Sequence, residues 1–311
     1  MQLPESASIC EVGPRDGFQY EPTFIPTERK VAVIERLIAA GVRRIQVTSF
    51  VHPKWVPQMA DAEEVCRRLP DRDDVIFSGL ALNVKGVERA HAAGLRYVDL
   101  SIATHDEHSL ANANMTVAEA VRQAEAMIRL AHHYDMQPQL GLQTVFGYKK
   151  PGDTPLQRIR ELARRFVDLG LESFSLADTT GMAHPVQIQE YVEAVREEIG
   201  DTPLVLHLHD TRGMGLANVL AALQCGVTRF DTSLGGLGGC PFIPGATGNI
   251  ATEDTVYMLE AMGVRTGIDY RQVAELALEL EAFLGKELPG RQTRLLARQR
   301  ALAASESRPC S

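Results

Sequence analysis

The segment PLVLHLHDTRG (residues 203–213) is apolar enough to form a buried strand, yet it carries histidines at two alternate positions. Side chains two positions apart in a strand point to the same face, so His207 and His209 would lie roughly 7 Å apart. Two imidazoles at that spacing could share a metal ion, because a neutral histidine nitrogen is a common metal ligand. The competing interpretation is that both are ordinary core or surface histidines.

Seven further segments are short, apolar or β-branched, and closed by polar or glycine-rich residues. They cover residues 8–17, 43–50, 75–83, 97–104, 137–147, 173–181 and 229–239. Segments with helical periodicity, such as 28–41 and 117–134, lie between them. Several of these segments end in a glycine, which is typical of a helix C-cap. The glycines are Gly41, Gly94, Gly170 and Gly226.

Eight strand–helix units in roughly 250 residues predict a (β/α)₈ TIM barrel. We expect the barrel to cover residues 1–270, and residues 271–311 to form a helical C-terminal extension with a short flexible tail. The alternative is a doubly wound open sheet, which is disfavoured because no glycine-rich nucleotide motif follows the first strand.

Functional residues of a TIM barrel lie at the C-terminal ends of its strands, so polar residues there should converge on one mouth. Such residues follow most of the predicted strands. They are Arg15, Asp16, Gln46, Thr48, Ser49, Asn83, Ser101, Thr104, Gln143, Thr144, Ser175, Asp178, His207, His209 and Cys240. Their common placement favours the metal-site interpretation of the two histidines.

The composition is that of an ordinary globular protein, with 311 residues, 45% of them hydrophobic and 23% charged. A net charge of −8 argues against a nucleic-acid partner, because phosphate neutralisation needs a basic surface. Five scattered cysteines without a C-x-x-C motif indicate a reduced, cytoplasmic protein. No apolar run approaches the ~20 residues of a membrane span, and no targeting pattern opens the sequence.

Asp16 and Asn249 are candidate partners for the two histidines. Two imidazoles, one carboxylate and one amide oxygen, completed by waters, suit Mg²⁺ or Mn²⁺, whereas zinc bound by the histidines and the carboxylate is the alternative. Asp16 could instead be a turn residue or pair with Arg15. Asn249 could instead cap the helix that follows it, since asparagine is a favoured N-cap, although Thr247 or Thr252 could also fill that role.

Five blocks of sequence resemble the 3-hydroxy-3-methylglutaryl-CoA lyase family of metal-dependent TIM barrels. The blocks are GPRDG (13–17), TSFVHPKWVPQMAD (48–61), SLADTTG (175–181), LHLHDTRGMGLAN (206–218) and GGLGGCPFIPGATGNIATED (235–254). The resemblance runs from about residue 8 to about residue 270, and its last block is very specific. It implies a retro-Claisen cleavage of a 3-hydroxyacyl-CoA into acetyl-CoA and a keto acid, with Mg²⁺ or Mn²⁺.

The resemblance also implies roles for individual residues, carried over position by position. The family's metal ligands fall on Asp16, His207, His209 and Asn249. Its catalytic arginine falls on Arg15, its mobile-loop cysteine on Cys240, and the acidic residue of the last block on Glu253. Positions near the acyl group fall on Ser49, Ser175 and Asp178. The base that takes the hydroxyl proton could be Asp16 or His207, and Cys240 could return a proton to the enolate, or simply be a buried apolar residue.

The sequence departs from the family pattern beside the metal site. Gln46 stands where the family carries a glutamate, and Gln46 is therefore assigned to the substrate pocket with Arg15. His52 replaces a usual serine, ALN replaces TPN near the third strand, and YKKPGD follows VFG where CPYEG is usual. The metal residues are intact while the acyl pocket is altered, so the departures bear on the substrate more than on the reaction class.

Three functions are compatible with these patterns. The leading hypothesis is an acyl-CoA lyase for hydroxymethylglutaryl-CoA or a related thioester such as citramalyl-CoA. The second is a condensing synthase or aldolase of the same superfamily, which is disfavoured because only about 40 residues follow residue 270. The third is a non-catalytic metal or CoA-thioester binding protein. We also expect a homodimer or a larger homo-oligomer, with no membrane partner.

Overall fold

The computed structural model describes residues 3–239 and 248–306. Eight parallel strands close into a barrel in sequence order, and the last strand pairs with the first. Ser8 of the first strand aligns with Arg229 of the last, which fixes the register of the closure. The predicted TIM barrel is therefore confirmed.

The strands are shorter than the sequence segments that predicted them, because each segment also includes the loop at its C-terminal end. The strands are β1 (Ser8–Glu11), β2 (Arg44–Ser49), β3 (Ile76–Ala81), β4 (Tyr97–Ala103), β5 (Gln137–Gln143), β6 (Ser173–Ala177), β7 (Leu204–His207) and β8 (Arg229–Thr232). In the first segment, 8–17, the strand ends at Glu11, and residues Gly13–Gly17 form a single π-helical turn.

Helices follow the strands and form the outer layer of the barrel. They are α1 (Thr27–Ala39), α2 (Ala62–Arg67), α3 (Val84–Ala92), α4 (Asp106–Ala113), α5 (Val117–His133), α6 (Leu156–Val167), α7 (Pro185–Ile199), α8 (Gly215–Gln224), α9 (Thr252–Ala261), α10 (Tyr270–Leu284) and α11 (Arg291–Glu306). Within the described ranges, no helix is both long and apolar enough to cross a bilayer.

The main core lies between the strands and the helices. On β4, the side chains of Val98, Leu100 and Ile102 are buried in this core, and α5 packs against the strand. Burial of one such side chain stabilises the fold by about 1.5–3 kcal/mol. Because side chains alternate along a strand, Asp99 and Ser101 point to the opposite face, into the barrel.

A β-bulge at Val47 changes the alternation of β2. Gln46 aligns with Ser78 of β3, but Thr48 aligns with Gly79, so one residue of β2 has no partner. The extra residue reverses the facing of the residues after it. Thr48 Oγ1 contacts the sulfur of Met59 at 3.7 Å in the outer core. The prediction that Thr48 points into the mouth is therefore wrong, and the bulge directs Ser49 inward instead.

The C-terminal helices pack on the region around the last strand. α10 contacts α1, α9 and the turn at residues 234–236, and the backbone N–H of Gly290 donates to the carbonyl of Gly235 at 3.0 Å. Asp254 of α9 accepts from the backbone N–H groups of Arg291 and Gln292, both at 2.7 Å, and so stabilises the first turn of α11. The division into a barrel at 1–270 and an extension at 271–311 stays a prediction.

Candidate active site and metal centre

Asp16, His207 and His209 lie together at the C-terminal mouth of the barrel. One possible ligand atom from each falls within 4.8 Å of the others. Strand β7 ends at His207, and His209 lies just beyond it in an isolated bridge with Asn249. The Nε2 atoms of the two histidines are 3.2 Å apart. The two imidazoles therefore converge as the alternation predicts, although only one of them belongs to the strand.

The segment that carries Asn249 is held beside the end of β7 by backbone pairing. Ile250 N donates to Leu208 O at 3.1 Å, and Asp210 N donates to Gly248 O at 2.8 Å. Asn249 Nδ2 donates to Asp16 Oδ2 at 2.7 Å and to Leu237 O at 3.0 Å. Its Oδ1 is buried without a hydrogen-bond partner among the described residues.

Asn249 does not cap the following helix. α9 begins at Thr252 after Ala251, and no side chain caps its first turn. The hydroxyl of Thr252 instead bonds to Glu11 (2.6 Å) and Thr232 (2.7 Å). The capping interpretation is therefore wrong, and the amide oxygen of Asn249 is available to a ligand.

Asp231 of β8 contacts the outer nitrogen of His207. Its Oδ2 lies 3.3 Å from His207 Nδ1, which leaves Nε2 facing His209 and Asp16. Burial alone would lower the pKa of His207, but Asp231 and the charge of Asp16 outweigh burial and raise it. Burial, reinforced by the neighbouring His207, lowers the pKa of His209 to about 3. The pKa values of the two histidines are therefore shifted in opposite directions, that of His207 upward and that of His209 downward.

Arg15 and Asp16 occupy the π-helical turn after β1 and are almost fully buried. Arg15 Nη1 donates to Asp16 Oδ1, and Arg15 Nε donates to Gln46 Oε1. Burial alone would raise the pKa of Asp16, but Arg15 and the two histidines outweigh burial and lower it to about 2. Asp16 is therefore both an ion-pair partner of Arg15 and a member of the candidate metal group.

The predicted acyl-pocket residues Ser49, Ser175 and Asp178 are all buried: Ser49 ends β2, Ser175 lies in the middle of β6, and Asp178 directly follows β6. Ser49 Oγ and Asp178 Oδ2 have no hydrogen-bond partner among the described residues. Burial raises the pKa of Asp178 to about 6, although the backbone N–H groups of Met182 and Ala183 donate to its Oδ1. Unpaired buried polar atoms are costly, so these two atoms mark places where a ligand group would bind. By contrast, Asn83 caps α3 through Gly86 N (2.9 Å) rather than completing the mouth.

Two buried glutamates brace the loops around the mouth. Glu11 accepts from Gly13 N (2.7 Å) and Leu234 N (2.9 Å), so it ties the loop after β1 to the loop after β8. Glu253, which the resemblance singled out, accepts from Gly235 N (2.9 Å) and from the hydroxyl of Thr293 in α11 (2.5 Å). Glu253 therefore connects the loop after β8 to the C-terminal helix.

Two glycines of the loop after β8, Gly238 and Gly248, lie next to each other in space although they are ten positions apart in the sequence. Gly238 has a φ of +137° and Gly248 a φ of +86°. A Cβ added to Gly248 would lie 2.6 Å from the carbonyl carbon of Gly238, closer than side chains allow. Cys240 lies outside the described residues, so its predicted role stays a prediction.

Three buried acidic residues near the site were not singled out from the sequence: Glu11, Asp99 and Asp231. Each lies in a barrel strand, and each is at most 6% exposed. An acidic residue within a predicted barrel strand was the available signal, since such groups are almost never fully buried without a partner.

The residues at the mouth fit a divalent cation. Two imidazole nitrogens approach each other, a carboxylate lies within reach, and an unpartnered amide oxygen is buried beside them. Nitrogen donors combined with carboxylate and amide oxygens suit an ion such as Mg²⁺ or Mn²⁺ whose remaining positions are filled by water or substrate. Asp16, His207, His209 and Asn249 are thus the residues that would hold it.

Comparison with known proteins agrees with this arrangement. Residues 6–278 match the HMGL-like family. The chain is 38% identical to a hydroxymethylglutaryl-CoA lyase of Bacillus subtilis over 94% of this chain and 97% of that protein. It is 40% identical to an (R)-citramalyl-CoA lyase of Chloroflexus aurantiacus over 92% of this chain and 93% of that protein.

Solved structures give the same answer. The crystal structure of the B. subtilis HMG-CoA lyase superposes with a TM-score of 0.91 at 38% identity, covering 96% of this chain and all of that one. An HMG-CoA lyase from A. baumannii, solved with coenzyme A and 3-methylmalate, superposes with a TM-score of 0.89 at 39% identity, covering 94% and 96% of the two chains. The chain therefore belongs to the HMGL-like family.

Proposed function

We propose that the protein is a divalent-metal-dependent carbon–carbon lyase that cleaves a 3-hydroxy-3-methyl dicarboxylyl-CoA of the hydroxymethylglutaryl-CoA type. The products are acetyl-CoA and a keto acid. The observation that carries the proposal is the convergence of Arg15 and Asp16 with His207, His209 and the open amide oxygen of Asn249 at one mouth. The named activities of the relatives support the same reaction class.

The proposed reaction is a retro-Claisen cleavage. The C3 hydroxyl loses its proton, the C2–C3 bond breaks, and its electron pair passes to C2 and the thioester oxygen as an enolate, which is then protonated at C2. A bound divalent cation would act as a Lewis acid and orient the substrate oxygens. Arg15 donates through Nε to Gln46 and through Nη1 to Asp16, while its Nη2 makes no hydrogen bond within the described ranges. We assign Nη2 to the thioester oxygen, where donors placed for developing charge contribute most.

Two side chains are candidates for the base that takes the hydroxyl proton. Both oxygens of Asp16 already accept hydrogen bonds, from Arg15 and Asn249. His207 has Nδ1 beside Asp231 and Nε2 facing the site, but Nε2 is also the atom with which His207 would bind the ion. A nitrogen whose lone pair binds a metal does not accept a proton, so Asp16 and His207 both stay candidates for the base. Cys240 is the proposed acid that protonates the enolate carbon.

Four residues of the proposed substrate pocket bear on which thioester is cleaved. Ser49, Ser175 and Asp178 would face the acyl group, and Gln46 takes the place of the family glutamate beside Arg15. The similarity to an (R)-citramalyl-CoA lyase favours citramalyl-CoA as the second candidate substrate. The 3-methylmalate bound in the A. baumannii relative is also a small branched dicarboxylate.

The described cysteines Cys10, Cys66 and Cys225 are free, which supports a reducing, cytoplasmic location for the enzyme. A homodimer or larger homo-oligomer remains part of the proposal.

A coupled assay of hydroxymethylglutaryl-CoA, citramalyl-CoA and an unbranched 3-hydroxyacyl-CoA tests the proposal, with Mg²⁺ and with Mn²⁺. We expect release of acetyl-CoA from at least one branched dicarboxylyl thioester, and its loss with chelator. Tight binding of the thioesters without cleavage would instead support the non-catalytic alternative.

A further inference from the structure

Asp99 is a buried carboxylate that the proposed reaction does not use. It lies in the middle of β4, points into the barrel, and is 6% exposed. Burial raises its pKa, while hydrogen bonds from Gln46 and Ser78 and the charge of Arg44 act in the opposite direction. An acidic group in such a place destabilises the fold unless its partners compensate. Its partners therefore indicate its role.

Asp99 belongs to a continuous hydrogen-bond chain that ends at the candidate metal group. Ser78 Oγ donates to Asp99 Oδ2 at 2.6 Å, and Gln46 Nε2 donates to the same oxygen. Gln46 Oε1 in turn accepts from Arg15 Nε. The chain crosses three neighbouring strands, β4, β3 and β2, before it reaches the turn after β1.

The chemistry of the groups fixes the direction of this chain. A carboxylate oxygen accepts hydrogen bonds, and a guanidinium only donates them. Gln46 lies between one of each, so its amide has to present N–H groups to Asp99 and its oxygen to Arg15. If the amide turned over, its N–H groups would face the Nε–H of Arg15, and neither donor would have an acceptor. Asp99 and Arg15 thus impose the same orientation on Gln46, and Asp99 holds the N–H end of the amide away from Arg15.

A second acidic residue has the same relation to the site on the opposite side of the barrel. Asp231 of β8 lies behind His207, and its Oδ2 is 3.3 Å from His207 Nδ1. Each carboxylate lies on a barrel strand and contacts a side chain of the site: Asp99 contacts Gln46, and Asp231 contacts His207. Each therefore helps to hold that side chain in one orientation. A glutamate at position 46 would place a carboxyl group directly beside Arg15, whereas in this chain the carboxyl group belongs to Asp99 and lies on the far side of the Gln46 amide.

We propose that Asp99 is a positioning residue, which holds Arg15 through the Gln46 amide in the orientation that directs Nη2 to the thioester oxygen. The inference rests on the proposed lyase function. It predicts that the carboxyl group can be moved between positions 46 and 99, but that turnover falls when both positions carry one or neither does.

Three variants test this by steady-state kinetics on the better of the two branched thioesters. Asp99→Asn removes the charge, and Gln46→Glu brings two carboxylates into contact. We expect each to lower kcat by about 10- to 100-fold with little change in KM, since small displacements of a catalytic group have effects of that size. In the double variant Gln46→Glu/Asp99→Asn, the introduced carboxylate accepts from both Arg15 and the introduced amide. We expect its kcat to return to within about threefold of wild type, a coupling that independent sites do not show.

Ile102→Val is the matched control, because Ile102 lies on the same strand but faces the helices. It should lower the melting temperature while kcat is retained, which separates positioning from general loss of stability. A wild-type kcat in Asp99→Asn, or a double variant no better than Gln46→Glu alone, would overturn the inference.

A readout that is independent of turnover separates this inference from the proposed function. Solvent exchange of the Arg15 Nε–H, followed by ¹⁵N NMR of the full chain, should be slow in wild type, faster in Asp99→Asn, and slow again in the double variant. If wild type cleaves no thioester, the proposed function is wrong. If Asp99→Asn leaves the Nε–H exchange unchanged, the positioning role is wrong.

Discussion

Asn249 Nδ2 donates to Asp16 Oδ2 over 2.7 Å, which joins the turn after β1 to the segment after β8 across 233 positions of the chain. The contact commits the N–H end of the amide to Asp16, and the buried amide oxygen has no hydrogen-bond partner among the described residues. One hydrogen bond thus orients two of the four candidate ligands.

The histidine pair gives the first prediction. His207→Ala and His209→Ala should each abolish metal-dependent turnover, because each removes one nitrogen of the candidate centre. Circular dichroism and thermal melting should still show a folded barrel, since neither side chain belongs to the apolar core. Full activity of wild type in excess chelator would contradict the metal centre.

Asp231 should affect the metal centre without binding the ion. Asp231→Asn removes the charged partner of His207 Nδ1, and loss of such outer partners typically weakens metal affinity by about 10–100-fold. Calorimetric titration with Mn²⁺ measures the change. Glu172→Gln is a suitable control, because Glu172 pairs with Arg44 and Arg229 at the start of β6. If both variants lost the same Mn²⁺ affinity, the effect of Asp231→Asn would be due to general destabilisation.

Cys240 tests the proposed protonation of the enolate. Cys240→Ser should lower kcat by about 10²–10⁴-fold and change KM little, since a positioned acid contributes an amount of that order. Thiol-modifying reagents should inactivate the wild-type enzyme, and substrate should protect it. An unchanged kcat in the serine variant would leave Cys240 with a packing role.

Glu11 predicts a pH dependence of stability. Burial raises its pKa from 4.5 to about 7, so the folded protein holds a proton that the unfolded chain has already released in this range. The contribution of Glu11 to the free energy of unfolding is therefore fully present below pH 4.5 and is lost as the pH rises to about 7. At 1.36 kcal/mol per pKa unit, the loss is about 3 kcal/mol.

The comparison is between urea unfolding of wild type and of Glu11→Gln at several pH values. The glutamine oxygen can still accept from Gly13 and Leu234, so the fold should be kept. The variant should lose less stability than wild type between pH 4.5 and 7. A residual slope is expected from Glu253, whose pKa burial also raises to about 7. Identical slopes in the two proteins would mean that Glu11 does not titrate in this range.

Gln46→Glu also distinguishes between the two substrates. In this chain the new carboxylate would face Asp99, and close like charges at an effective dielectric near 20 repel by about 4 kcal/mol. We therefore expect no gain of kcat/KM on hydroxymethylglutaryl-CoA and a loss on the native substrate. Both thioesters should be assayed side by side. A gain of about tenfold or more on hydroxymethylglutaryl-CoA alone, 1.4 kcal/mol in the barrier, would identify an impaired ordinary lyase instead of a retuned pocket.

Much of the fold could be predicted from the sequence, because it depends on local periodicity. Alternation of strands with helical segments predicted the barrel, and its closure brought Asp16 beside His207 and His209. The bulge at Val47 could not be predicted, since a single extra residue leaves the apolar pattern of β2 nearly unchanged. For that reason the predicted direction of the Thr48 side chain was wrong, whereas the predicted direction of the Gln46 side chain was right.

Residues of the candidate site that belong to a sequence motif could be predicted. Residues that packing brings to the site could not be predicted as well. Asn249 was found through the last block of the resemblance, but its hydrogen bond to Asp16 in the folded chain is what shows that it belongs to the site instead of capping α9. Asp99 and Asp231 have no motif of their own. Their roles depend on side-chain contacts between strands that are far apart in sequence, and these are fixed only by the register of the barrel.

The adjoining glycines at positions 238 and 248 have a consequence for the divergence of such enzymes. Because the chain returns to the point from which it departs, insertions, deletions or replacements between the two glycines need not displace β8, Asn249 or α9. A chimaera that carries the corresponding segment of a citramalyl-CoA lyase should therefore fold with the metal ligands in register, and selection could alter this part of the enzyme without rebuilding the barrel.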